Sequence, residues 1–393
     1  MSDPVVISSF ARTPMGAFQG AFSGLSAVDL GAAAVRAAVA RSGADPAAIE
    51  RIYMGCVLPA GLGQAPARQA ALAGGLPRGV EATTVNKMCG SGMQAAIMAS
   101  EALASGAVDL IVAGGMESMT NAPYALPKHR SGARIGHDRI IDTMMMDGLE
   151  DAYEPGRPMG AFAEATAGQY QFSRADQDAY ALETLTRATR AISSGAFDAE
   201  IVPVGVKTRS GEILVSQDEQ PGKIDPAKAP GLRPAFAKDG TITAATSASI
   251  SDGAAALVLT RQSVAERLGL GQAARIVATA AHAHEPAQFT TAPVFAIRKA
   301  LVKAGWHVQD VDLFEVNEAF AVVAMIAMRD LGIDHARLNV NGGATALGHP
   351  IGASGARVMA TLIAALQAPG LKRGVAALCI GGGEATAVAL ELI

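Results

Sequence analysis

Two cysteines and a histidine each stand on a glycine-flanked segment, and a thiol with an imidazole to activate it is the basic equipment of nucleophilic catalysis. Cys89 lies in Asn86–Ala95, NKMCGSGMQA, between the strand-like run Ala82–Val85 and a helical pattern through Met93, Ile97 and Leu103. A strand-to-helix turn would put its sulfur at the positive end of a helix, which is expected to lower the thiol pKa, while Gly90 and Gly92 admit a substrate to the backbone. His349 lies in Asn341–Arg357, NGGATALGHPIGASGAR, just ahead of another helix start, where an imidazole could act as acid or base. Cys379 lies in Leu378–Ala385, LCIGGGEA, whose three glycines would expose backbone N–H groups beside it. Val316–Ala321, VNEAFA, places Asn317 and Glu318 at the carboxyl end of a strand, where open α/β sheets bind ligands. Read singly, each stays open: a lone cysteine is more often inert packing, a lone histidine a structural group, and a glycine run a tight turn.

The background excludes several other chemistries. Lys plus Arg total 32 against 36 Asp plus Glu, a formal charge of -4, so no basic field draws nucleic acid or anionic lipid. Cys56, Cys89 and Cys379 are too few and too far apart for a disulfide framework or a thiolate metal site, which favours a reducing compartment and a protein with no metal. The longest plausible apolar helix core, Ala319–Met328, falls far short of the roughly 20 residues that span a bilayer. The opening Met-Ser-Asp-Pro runs straight into Val5–Phe10 without the pattern of a secretory leader, so a soluble, cytoplasmic protein is expected.

The elements that must hold these groups show a faint duplication. An Ala-rich helix ending at Gly43 and a strand through Ile49–Tyr53 are matched, 262 positions later, by a helix ending at Gly305 and a strand through Val311–Phe314. Ser91-Gly92 has its counterpart in Ser354-Gly355, and VAGGMES at Val112–Ser118 answers CIGGGEA at Cys379–Ala385. Apolar strands interleaved with helices predict two similar α/β halves, each with a mostly parallel sheet buried on both faces. Met119–Ser251 matches neither half and reads as an insertion, with a helix predicted from Ser173 to about Ser194, stopped by Gly195.

Taken together, the Cys89 loop, VAGGMESM, NEAF, GGATALGHPIGASGAR and CIGGGEA, with ARTPMG near Ala11, GQAPARQAA near Gly63 and DGAAA at Asp252, resemble the thiolase family over essentially the whole chain. They are most similar to its biosynthetic, acetyl-CoA acetyltransferase branch. The resemblance implies two βαβαβαββ halves in a five-layered αβαβα sandwich with an inserted loop domain: 1–118 with 252–270, then 119–251, then 271–393. It implies reversible condensation of two acetyl-CoA to acetoacetyl-CoA and CoA, with coenzyme A thioesters as substrates and no permanently bound cofactor. Cys89 is then the nucleophile, His349 the base, and Cys379 the group that moves the substrate's α-proton. His349 with a water on Asn317 would form one oxyanion hole, and the N–H groups of Cys89 and Gly381 the other. Pro127–Met146 is similar to the loop that joins dimers into tetramers, which implies a homotetramer.

The departures from the family pattern fall in the pocket. Pro158 stands where a His commonly precedes Met159-Gly160. Thr246-Ser247-Ala248 replaces Asn-Ala-Ser, displacing to Ser247 the hydroxyl expected on the pantetheine. Phe289 stands where relatives have Met, so Met159, Ser247 and Phe289 are the expected substrate contacts, and a thiolase of broader or longer chain preference, acting in degradation, is the alternative. A ketoacyl-thioester synthase of the same broad fold would lack Cys379, and a catalytically dead CoA-binding protein would be expected to lack at least one of Cys89, His349, Asn317 and Cys379; all four are present.

Overall fold

The computed structural model describes residues 3–368 and 370–393, so Met1 and Ser2 of the amino-terminal reading lie outside the described residues. The chain begins with β1 (Val5–Arg12), β2 (Gly16–Ala17), α1 (Ala27–Ser42), β3 (Arg51–Gly55), α2 (Pro66–Ala73), β4 (Glu81–Val85), α3 (Ser91–Ala104) and β5 (Leu110–Ser118). An excursion follows, carrying β6 (Tyr124–Ala125), β7 (Ile141–Asp142), α4 (Met159–Tyr170), α5 (Arg174–Ser194), β8 (Val204–Thr208) and β9 (Gly211–Val215), before β10 (Ser251–Arg261) returns to pair with β5. After α6 (Gln262–Leu268) come β11 (Ala274–Ala283), α7 (Ala292–Ala304), β12 (Leu313–Val316), α8 (Ala321–Leu331), α9 (Ala344–Leu347), α10 (Ser354–Leu366), β13 (Arg373–Ile380) and β14 (Glu384–Leu392).

Local chemistry sets the helix ends. α1 begins on a capping box, in which the Ser26 hydroxyl accepts from the Asp29 N–H and the Asp29 carboxylate accepts from the Ser26 N–H, and it ends at left-handed Gly43. Ser173 and Asp176 repeat the box on α5, and Gly195 ends that helix at φ 73°, as the sequence predicts. Gly305 does the same for α7 at φ 69°.

The strands form one path, β12-β13-β14-β11-β1-β10-β5-β3-β4, with β2 attached to β10. It divides between the halves where β1 meets β11 in a short antiparallel contact at Val6–Arg275 and Ile7–Ala274. Helices α1 and α2 cover the outer face of the first half, and α7 and α8 that of the second. Between the two halves lie α3 and α10, packed on each other and on strands of both, with a shared apolar core of Met93, Ile97, Met359, Leu362 and strand residues from each side. The succession helix, sheet, helix, sheet, helix is the expected sandwich.

The expected mostly parallel sheets are a correction. Only β3–β4, β3–β5 and β12–β13 run parallel; β10 and β14 return antiparallel to the strands before them, and β1 and β11 lie antiparallel beside those. The apolar runs of β5 and β10 reflect burial on both faces, which helices above and below impose whatever the strand direction. The repeat is therefore topological: VAGGMES lies inside a strand, whereas CIGGGEA turns a corner after Ile380.

Candidate active site

Helices α3 and α10 meet at their first turns. A Cβ on Gly355 would stand 2.3 Å from the Met93 nitrogen and one on Gly92 2.8 Å from that of Ala356, so only glycine allows this approach. The crossing brings together the loops ahead of each helix, one carrying Cys89 and the other His349. The end of β13 adds Cys379 and Gly381. All four line one pocket of about 580 Å³, whose walls include Met88, Met159, Phe289, Phe320 and Ile351.

The Cys89 loop is held tightly. Met88 adopts φ 47°, a left-handed conformation unfavourable for a side chain of this size. Its N–H donates to the Asn86 side-chain oxygen (3.0 Å), while the Ser91 hydroxyl accepts from the Lys87 N–H (2.9 Å) and donates to the Met88 carbonyl (2.6 Å). No side chain caps α3, and the Ser91 N–H of its first turn donates to the Met88 carbonyl (3.0 Å). The predicted low thiol pKa is not found: burial pushes Cys89 up to about 11, against opposing hydrogen bonds from the N–H groups of Gly381 and Cys89 itself. Desolvation outweighs the helix end, so the resting group is a thiol that needs a base. Burial, and next the neighbouring Cys89, hold Cys379 well above the ordinary thiol range.

His349 is buried and neutral, its pKa pushed down to about 3 by burial and by the Arg357 charge. The Ser354 hydroxyl lies 2.6 Å from Nδ1 and 3.0 Å from the Pro350 carbonyl. With the hydroxyl proton on that carbonyl, Nδ1 carries the ring proton and Nε2 keeps a lone pair for a thiol. The Asn317 amide nitrogen lies 3.4 and 3.5 Å from the two ring nitrogens, and its oxygen accepts from Arg357 Nη2 (3.0 Å), which fixes which end of the amide faces the imidazole.

Met159 and Phe289 stand in the pocket wall, whereas the Ser247 hydroxyl donates to the Thr243 carbonyl (2.8 Å) and Ala248 and Ser249 line the pocket beside it. Glu318 also faces away, bound by Tyr180, Thr184, Asn339 and Thr345. Two residues escaped the sequence reading. Ser354 was visible only as a helix start, and Glu117 only as an acid within an otherwise apolar strand. Among the described residues no cluster of His, Cys, Asp or Glu could hold a metal ion, and no helix is long and apolar enough to cross a membrane.

Known proteins carry the same frame. Residues 5–263 match the family description "Thiolase, N-terminal domain" and residues 270–392 "Thiolase, C-terminal domain". The chain is 48% identical to acetyl-CoA acetyltransferase 1 of Arabidopsis thaliana, covering 99% of this chain and 94% of that one. It is 45% identical to the acetyl-CoA acetyltransferase of Schizosaccharomyces pombe, with 99% of each covered. Among solved structures, Acat5 thiolase from Ascaris suum in complex with coenzyme A superposes with a TM-score of 0.94 at 42% identity, over 99% of this chain and 100% of that one. The Bacillus anthracis acetyl-CoA acetyltransferase gives 0.97 at 40% identity, over 100% and 99%. With both halves matched, the chain belongs to the thiolase family.

Proposed function

We infer that this chain is an acetyl-CoA C-acetyltransferase that condenses two acetyl-CoA into acetoacetyl-CoA and CoA, and runs thiolysis in reverse. The observation that carries the reading is the meeting of Cys89, His349, Cys379 and Gly381 in one pocket. The names and full-length coverage of the relatives support the acetyl substrate.

In the first half-reaction His349 Nε2 takes the Cys89 proton as the sulfur attacks the thioester carbonyl. The oxyanion is met by the N–H groups of Cys89 and Gly381. Collapse breaks the carbon–sulfur bond to CoA, whose thiolate takes the Cys379 proton and leaves. Acetyl-Cys89, an imidazolium and a Cys379 thiolate remain. That thiolate removes an α-proton from a second acetyl-CoA, and the enolate oxygen is met by the imidazolium and a water on Asn317. The enolate carbon attacks acetyl-Cys89, and the departing Cys89 sulfur recovers its proton from His349. Each group ends in its starting state.

The exposed apolar side chains Ile135, Ile140 and Met146 support a subunit-joining role for 127–146, hence a dimer of dimers. Residues 119–251 serve as the loop domain between the halves 1–118 with 252–270 and 271–393, and the three unpaired cysteines suit a cytoplasmic site of action. Peptide mass spectrometry after incubation with acetyl-CoA tests the chemistry: one acetyl group is expected on Cys89 and none in Cys89→Ala. Acetyl found only on Cys56 or Cys379 overturns the assignment.

A further inference from the structure

Two segments must keep a fixed spacing for the oxyanion hole to exist, since one donor N–H belongs to Cys89 and the other to Gly381. The first segment is Lys87–Gly90, which contains the strained Met88. The second is Ile380–Glu384, whose turn is built on Gly382 and Gly383 at φ 91° and 83° and has no side chains of its own to brace it. The two touch at both ends. At one end Gly90 lies flat against Ile380, where a Cβ would stand 2.3 Å from the isoleucine Cδ1. At the other the Lys87 ammonium is paired with the Glu384 carboxylate, both side chains partly exposed. Cys89 and Gly381 lie between these fastenings. The apolar contact can slide, whereas the ion pair has a direction and is the polar side-chain contact that ties the two segments to each other.

We propose that Lys87 and Glu384 are positioning residues: their ion pair clamps the nucleophile loop to the glycine turn and holds the spacing of the Cys89 and Gly381 N–H groups. The proposal rests on the acyl-Cys89 reading above. It deepens that reading by assigning the alignment of the hole to two residues that touch no reacting atom. The pair lies at the rim of the site, where salt reaches it, so the alignment is sensitive to ionic strength.

The test compares wild type, Lys87→Met, Glu384→Gln and the exchanged pair Lys87→Glu with Glu384→Lys, each checked for an unchanged melting temperature. Each single change should lower kcat for acetoacetyl-CoA thiolysis by about tenfold with KM moved less than about twofold, the pattern of lost alignment rather than lost binding. The exchanged pair should return to within about threefold of wild type. In the wild type alone, kcat should fall as potassium chloride is raised from about 0.05 to about 0.5 M. Failure of the exchange to recover kcat overturns the clamp, as does a Lys87→Met enzyme whose KM rises at unchanged kcat while Glu384→Gln matches wild type, which would make Lys87 a contact for a CoA phosphate. A wild-type enzyme that never acetylates Cys89 contradicts the thiolase reading instead, so the two failures are told apart.

Discussion

β5 and β13 occupy matching places in the two halves and do opposite things. Each pairs in parallel with a shorter strand and antiparallel with the strand that follows it in the sheet. Each carries a titratable side chain one residue before its last pair, Glu117 opposite Gly253 and Cys379 opposite Ala385. Cys379 opens on the pocket. Glu117 is wholly buried, and its carboxylate accepts from the N–H groups of Val57 (2.9 Å), Leu58 (3.2 Å) and Gly352 (2.9 Å), with the Cys56 thiol at 3.6 Å. Gly352 stands two residues ahead of α10, as Cys89 stands two ahead of α3. The position that in one half lines the pocket is, in the other, occupied by the protein's own carboxylate. A duplicated frame thus yields one working centre and one plugged copy, and the plug holds the loop that carries His349.

The largest expected effect belongs to the open member. Cys379→Ala should lower condensation by about a thousandfold, the usual scale for losing a positioned acid or base, while Cys89 still acetylates. Full condensation in that variant would remove Cys379 from the chemistry. The plugged member should answer in stability. Glu117→Ala leaves buried N–H groups unpaired and should cost about 3 kcal/mol, read as a lower urea midpoint, with Cys89 acetylation kept in the folded fraction. Unchanged stability with lost acetylation would reverse the roles drawn here.

The pH dependence sharpens the comparison through the loop that Glu117 holds. His349 is neutral in the fold, down to about pH 3, but binds a proton near pH 6.5 when unfolded. The unfolded state then holds the extra proton between those values, so this residue's contribution favours unfolding progressively as pH falls below 6.5, by roughly 2 kcal/mol at pH 5. His349→Gln should therefore lose less stability than wild type between pH 7 and 5; parallel curves would show that the imidazole is charged in the fold. The smallest effect concerns the wall. Phe289, edge-on to Phe320 at 6.4 Å between ring centres, forms part of the pocket wall. Acetoacetyl-CoA should be preferred over a six-carbon ketoacyl-CoA by about tenfold in kcat/KM, and Phe289→Ala should shrink that preference. Equal values in wild type would free Phe289 of that part.

What could be read from the sequence was what is local. Ser173 and Asp176, or Gly43 and Gly305, act within a few residues, so helix ends were legible. The glycine-rich loops of Cys89, His349 and Cys379 were legible because close backbone approach leaves a mark on composition. Strand direction was not, because β5 and β10 are apolar on both faces whichever way they run. Nor was the protonation of Cys89, which depends on how much protein surrounds the sulfur, a property no neighbour in sequence reports. The bond of the Ser247 hydroxyl was hidden for a related reason, since its partner, the Thr243 carbonyl, bears no side-chain signature. Glu117 left a faint mark, a charge inside a buried strand, and the partners that explain it lie at residues 57, 58 and 352.

The corner after β13 closes through three glycines, whereas the corner after β5 stays open across residues 119–250. That opening governs how the chain emerges during synthesis. β1 is buried along its whole length in the finished fold, yet its partners β10 and β11 begin only at Ser251 and Ala274. At ribosomal speeds of roughly 5 to 20 residues per second, the first strand waits roughly 10 to 50 s for a neighbour, longer than local helices or hairpins need to form. Throughout that interval a nascent chain carries an unpaired apolar edge at its leading end, and its escape from aggregation depends on what shields that edge until the central contact between the halves can close.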